Sequence, residues 1–507
     1  MKNSYLQPVL YAVLISISIF FGYNLNSKKS DSKILNLLKL IEENYVDTVN
    51  ISFEEEIITS ILGSLDPHST YIAKNDFKIE SQRMEGEFSG IGIEFNIISD
   101  TVVVVAPISG GPSEKLGVKS GDKIIAVEQE NIANIKITNT DVIDRLRGEK
   151  NTQVNITVKR SGMKNLLNFN IIRDNIPLNS IDASFMLDDS TAYIKINRFS
   201  AQTYREFNTA TNKLLANNMK QLILDLRDNP GGYLRPAIQI CDDFFEEDIL
   251  LVYTEGKERK RQDLISSKKG LLKNITVRIL INEGSASASE IIAGAFQDND
   301  RGIIVGRRSF GKGLVQEEMI LKDNSAIRLT TQRYYTPSGR SIQKSYQGNI
   351  KDYYLEQYQR EEKNNDSTIF TTRLGRTVYG GGGITPDHII SKPENINYQK
   401  VNHLISKRWL TEFSIGYAMK IKADFPKEFY AAKSKFLSAN NKIDYFNQFE
   451  KLIHQKDSEF NFQMGEVELN YLKTLIIANL ARIIWNDEAY YTIISNEDET
   501  IKKAKNL

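Results

Sequence analysis

Two runs, QLILDLR from Gln221 and ITVRILIN from Ile275, carry three consecutive apolar residues each, Leu222 to Leu224 and Ile279 to Ile281, where a half-exposed strand would alternate, and each breaks at a loop before a helical pattern begins. A strand with one face in water alternates apolar and polar residues; one without alternation is covered on both faces. The runs therefore read as buried strands. TAYIKINRF and GIIVGRR read as further strands, with AQTYREFNTATNKLLANN, RPAIQICDDFFEE and SEIIAGAFQDN as helices between them. After the loop SFGKG come the strand-like LVQEEMIL and SAIRLTTQRYYTP. This order predicts an α/β core with its chemistry in the loops at strand ends.

The core is one part of a larger chain. With 507 residues, 41% of them hydrophobic, the sequence is long and apolar enough for several domains. A formal net charge of +1 argues against a nucleic-acid surface. The single cysteine, Cys241, excludes an internal disulfide and sits in an apolar helical run as a core residue.

From Asn3 to Ser27 there is no charged residue, and QPVLYAVLISISIFFGYNL is apolar enough to cross a bilayer. No small-residue cleavage site and no cysteine for lipidation follow, so residues 1–29 are expected to be an uncleaved signal anchor, a cleaved signal being the alternative. Residues 30–85 read as a short helical region, with His68 as a structural histidine in the turn Gly63–His68.

From Phe88 the period changes to that of strands: GIGIEFNII and TVVVVAPI, then a turn-rich segment and the helix-like TDVIDRLRG. At Gly90, Ile91, Gly92 and Ile93 the chain can present successive backbone N–H groups to a carboxylate, because glycine lets the ligand approach closely. The strand order, the turn at Gly121-Asp122 and the later helix resemble a PDZ domain, which captures a free C-terminus as an added strand.

Ser285, Ser287 and Ser289 stand on alternate positions where a helix begins, and capping is the ordinary use of a serine there. What points further is SFGKG, where glycines on both sides let Lys312 be aimed inward. A serine at a helix start beside a buried lysine is a known nucleophile and base arrangement. None of the four histidines lies near either motif. His388, after Asp387, is a less economical base than Lys312.

DLRDNPGG, NEGSASASEIIAGAFQDNDRGIIVGRRSFGKGLVQ and YYTPSGRSIQ, with ENYVD and LDPHSTY ahead of the PDZ-like segment, resemble the carboxyl-terminal processing peptidases, or tail-specific proteases. The resemblance implies Ser287 as nucleophile, Lys312 as general base and Gln316 as the residue that positions the lysine. It implies an oxyanion hole from the N–H of Ala288 and of Gly231 or Gly232. No metal or organic cofactor is implied.

The expectation is thus a multi-domain α/β protein with an anchor at 1–29, a helical region at 30–85, a PDZ domain at 86–175, a protease domain at 176–395 and a helical region at 396–507. The glycines from Gly380 read as a hinge or tight loop. In the last region Leu472, Leu475, Ile476, Leu480, Ile483 and Ile484 fall at helical spacing, for packing against the core ahead of self-association. The expected function is an exported serine endopeptidase, anchored in a bacterial inner membrane and facing the periplasm. It would recognise protein or peptide C-termini for processing or degradation. A catalytically silent PDZ adaptor is the competing class.

Overall fold

The computed structural model describes residues 33–44, 46, 52–108, 110–267, 270–347, 349–359, 368–393 and 396–507. The expected anchor lies outside them; among the described residues no helix is long and apolar enough to cross a membrane. The chain divides after Leu65. In the first unit the described residues form the helices Lys33–Asn44 and Ser52–Gly63, the second with Glu54 and Glu55 in its first turn, where the helix dipole favours negative charge.

The second unit is built on a six-stranded sheet in the order Ile181–Met186, Thr191–Ile196, Gln221–Asp225, Thr276–Ile281, Gly302–Gly306, His388–Ile389. All neighbours are parallel except the first pair. Helices Thr203–Ala216, Leu234–Asp242 and Ala288–Asp298 cover one face, where Leu222, Leu224 and Ile279 pack on Phe207, Phe244 and Phe296. Tyr193, Ile223, Leu280 and Val305 point to the other face and are covered by Ile501 and Ala504 of the terminal helix Glu499–Lys505. Double coverage is why QLILDLR lacks alternation. The two strands after SFGKG are an antiparallel hairpin, Leu314–Ile320 and Ala326–Tyr335, in a second sheet with Leu250–Glu255, Gln262–Ile265 and Thr70–Ile72.

The PDZ-like segment has its own sheet and core. Its strands run in the order Ile93–Ile98, Thr101–Pro107, Lys123–Val127, Gln153–Lys159, Leu167–Ile172, leaving Ile93–Ile98 at an edge. Helix Asn139–Leu146 starts at a capping box between Thr138 and Asp141. The chain enters and leaves along one antiparallel ribbon, Glu87–Gly90 against Asp174–Pro177, in which Gly90 pairs with Asp174.

Helices from Tyr398 to Ile484 form a third core, in which the six residues of the apolar stripe from Leu472 to Ile484 are all buried. The stripe therefore serves packing within the chain, and it is not exposed for self-association. Val105 of the PDZ-like sheet joins this core, and Arg482 pairs with Glu94 at 3.3 Å.

Candidate active site

Two loops at strand ends are stitched into each other. Ser285 Oγ accepts the N–H of Asn282 at 2.9 Å and donates to the Leu226 carbonyl at 2.8 Å, while Ser289 Oγ donates to the Asn229 carbonyl at 3.0 Å. Both serines are fully buried, so two of the three hydroxyls are structural. The third is different. Ser287 is half-buried, makes no capping bond with its hydroxyl, and sits at φ 55° and ψ −114°. A non-glycine residue in such a conformation costs about 1–3 kcal/mol and persists only where its surroundings hold it.

Glu290, fully buried one turn along the helix, provides much of that hold. Its Oε2 accepts the N–H groups of Ser287 at 2.8 Å and Lys312 at 2.9 Å; its Oε1 accepts the N–H of Gly311 at 2.7 Å and the Ser309 hydroxyl at 2.5 Å. Burial pushes the carboxyl pKa up against the pull of these four donors. The Tyr334 phenol adds a second link, donating to the Lys312 carbonyl and reaching the Ser287 carbonyl at 3.2 Å.

Lys312 rides on the loop SFGKG, whose shape depends on Gly311. That residue has φ +92°, and a Cβ there would lie 3.0 Å from the backbone of Gly382 and Gly383. The glycines from Gly380 are thus a tight loop backing the lysine. Gly313 donates its N–H to Gln343 Oε1 at 2.8 Å. Among the described residues Lys312 has no ion-pair partner; burial pushes its pKa down to about 8, the Arg328 guanidinium acts in the same direction, and Glu290 and Asp66 oppose.

Ser287, Ala288, Gly232, Lys312 and Gln316 line one cavity of about 570 Å³, with Arg328 and Tyr334. Gln316 donates to Thr330 Oγ1 at 3.2 Å rather than to Lys312. Of the two neighbouring glycines, Gly231 has its N–H taken by Asn229 Oδ1 at 2.9 Å. The N–H groups of Gly232 and Ala288 have no partner among the described residues, which makes Gly232 the better oxyanion donor of the pair. Gly231 packs against the serine: its φ is +98°, and a Cβ would lie 2.7 Å from that of Ser287.

In the PDZ-like segment Gly90 ends the entry ribbon and Ile93 begins the edge strand. Between them the carbonyls of Ile91 and Gly92 are occupied, by Ser113 at 3.1 Å and Ile108 at 3.0 Å. The N–H groups of Ile91 and Gly92 have no partner among the described residues.

The remaining residues singled out by sequence play other parts. His68 Nε2 meets the Tyr353 phenol at 2.9 Å, and burial, reinforced by the Lys312 charge, pushes its pKa to about 4, so it is neutral at pH 7. His388 lies on the edge strand outside the cavity lining. Burial pushes the Cys241 thiol up. Among the described residues no cluster of three or more His, Cys, Asp or Glu could hold a metal ion.

Glu290, Tyr334 and Arg328 are site residues that reading the sequence missed. The spacing Ser287-x-x-Glu290 is that of a capping box and carried a signal. No local pattern marks Tyr334 or Arg328, which arrive from the hairpin. Arg328 is held by Glu80 and Glu318, each at 2.6 Å. The motif YYTPSGRSIQ also acquires a physical role. Its Gln343 pins the lysine loop, while its fully buried Arg340 pairs with Asp298 at 2.7 Å at the end of the helix that Ser287 precedes.

Comparison with known proteins finds Peptidase family S41 over residues 190–354 and a PDZ domain over 89–171. The carboxy-terminal-processing protease of Bartonella bacilliformis is 34% identical over 337 residues, covering 65% of this chain and 76% of that protease. The carboxy-terminal processing protease CtpB of Bacillus subtilis is 35% identical over 323 residues, covering 62% and 66%. Among solved structures, a photosystem II D1 C-terminal processing protease aligns over 71% of this chain and 87% of its own, with 23% identity and a TM-score of 0.38.

Proposed function

Because the chain belongs to the carboxy-terminal processing proteases, serine peptidases of family S41, we propose that it cleaves peptide bonds with Ser287 as nucleophile and Lys312 as general base. One observation carries the assignment: a half-buried serine shares one cavity with a lysine that has no ion-pair partner, and with two N–H groups that have no hydrogen-bond partner, among the described residues.

The chemistry follows from those positions. Neutral Lys312 Nζ takes the Ser287 proton as Oγ attacks the scissile carbonyl carbon, and the N–H groups of Ala288 and Gly232 receive the charge that develops on the carbonyl oxygen. Collapse breaks the C–N bond, and the departing amine takes the proton back from Lys312. Water, deprotonated by the again neutral Lys312 Nζ, then attacks the acyl carbon, and Lys312 returns that proton to Ser287 Oγ as it leaves. Gln316, through Thr330, orders the cavity wall beside the lysine.

The PDZ domain selects substrates ending in a free carboxylate. The N–H groups of Ile91 and Gly92, without partners among the described residues, and the edge position of strand Ile93–Ile98 in its sheet support that role. The charge-free stretch from Asn3 to Ser27 supports an exported enzyme anchored in a bacterial inner membrane and facing the periplasm, with C-terminal processing or degradation as its outcome.

The test is cleavage of an unfolded protein offered with a free or an amidated C-terminus. The native enzyme is expected to prefer the free form and the Ser287→Ala variant to cleave neither; equal cleavage of both forms by the native enzyme would overturn PDZ-directed selection. Digestion by external protease of intact cells stripped of their outer membrane checks the orientation, and a protected enzyme body would reject it.

A further inference from the structure

Asp498 lies far beyond the stretch matched to the peptidase family, at the joint between helices Asp487–Glu497 and Glu499–Lys505. Its two oxygens do different work. Oδ1 caps the terminal helix, accepting the N–H groups of Thr500 at 2.9 Å and Ile501 at 3.1 Å. Oδ2 accepts Nη1 of Arg227 at 2.7 Å.

Arg227 is the first residue of interest on the route to the chemistry. Its guanidinium forks onto Asp225, with Nη2 at 2.6 Å and Nε at 3.0 Å from both oxygens, and its carbonyl accepts Lys195 Nζ. Asp225 is the last residue of its strand, and the loop that follows carries Gly232 and staples to the nucleophile loop through Leu226 and Asn229. The Arg227–Asp498 pair is largely shielded, with side chains 17% and 14% exposed, so solvent screens it weakly.

Resting on the peptidase reading above, we propose that Asp498 is a positioning residue for the reaction: by gripping Arg227 from the C-terminal helices it fixes the loop that presents Gly232 to the oxyanion. The carboxyl-terminal helices, on this account, complete the active site. A capping residue that merely stabilised its helix would change the melting temperature and leave turnover per folded molecule alone.

Asp498→Asn separates the two roles, because asparagine caps a helix as well as aspartate and lacks the charge. Measured on the full chain, kcat is expected to fall about tenfold with KM nearly unchanged, and a fluorophosphonate probe to label Ser287 slower by a similar factor. Asp498→Glu, which restores the charge, is expected to recover most of the loss. Asn486→Ala removes the cap of the preceding helix without touching Arg227, and is expected to lower the melting temperature only. Asp498→Ser, a second capping residue without charge, is measured in parallel, so that poor folding of one variant leaves the other to decide. Native kcat and native labelling in either folded neutral variant overturn the proposal. Failure of the probe to label Ser287 in the native enzyme overturns the peptidase assignment instead, whatever Asp498 does.

Discussion

The carboxylate of Glu290 holds Lys312 by its backbone: Oε2 accepts the lysine N–H at 2.9 Å while the same oxygen accepts that of Ser287 at 2.8 Å. One buried atom thereby fixes the backbones of the two residues between which the proposed mechanism moves a proton.

Replacing that carboxylate by an amide turns acceptance into repulsion. In Glu290→Gln the amide nitrogen must face at least one of the four donors that Glu290 now satisfies, at a cost of about 1–3 kcal/mol for a buried unsatisfied group. We expect a lower melting temperature and a kcat reduced by about a hundredfold, with KM changed less. Native turnover in a folded Glu290→Gln protein would remove this residue from the positioning of Lys312.

The three serines should separate cleanly. Ser287→Ala is expected to abolish turnover while leaving stability within about 0.5 kcal/mol of native, since that hydroxyl makes no capping bond. Ser285→Ala, which strands the Asn282 N–H and leaves the Leu226 carbonyl with the Asn229 N–H alone, should instead cost about 1–3 kcal/mol of stability and leave measurable activity. Thermal melts and assays of the same preparations decide, and an inactive, fully stable Ser285→Ala protein would shift the nucleophile to that position.

Lys312 works as a base only when neutral, so activity should rise with pH through its pKa of about 8. Arg328 pushes that pKa down; Arg328→Gln removes the cation and leaves Glu80 and Glu318 uncompensated, and both changes favour the protonated amine. The acidic limb of the kcat/KM profile should therefore move to higher pH in that variant. Lys312→Arg should be inactive at every pH, because guanidinium stays protonated. An acidic limb unchanged by Arg328→Gln would argue that another group titrates.

Gly231→Ala tests the packing of the two loops. The added methyl would meet the Ser287 Cβ at 2.7 Å from a backbone at φ +98°, so we expect a loss of about 1–3 kcal/mol in stability and a marked fall in kcat. A variant as active and stable as the native enzyme would show that the loops are not in close contact in solution.

What could be read from sequence was what local pattern encodes. Consecutive apolar residues without alternation marked the central strands, and a Gly-Lys-Gly turn marked the lysine loop. The strand order of the sheet, Arg328 and Tyr334 come from pairings between distant segments, which no local period records. Gly231 and Gly232 were indistinguishable as letters. Only the fold shows that Asn229 occupies the N–H of the first, while that of the second has no partner among the described residues.

The ribbon that joins the PDZ domain to its host bears on how such an enzyme can change. Both crossings lie at neighbouring positions of one ladder, Gly90 beside Asp174, so the host's chain path would close over the missing insert with a turn of a few residues. As far as connectivity goes, the domain that selects a substrate is a cassette. What ties it down is elsewhere: Val105 sits in the core of the C-terminal helices and Glu94 pairs with Arg482, so a replacement cassette would have to re-cover that apolar face before it could alter which chain ends are cut.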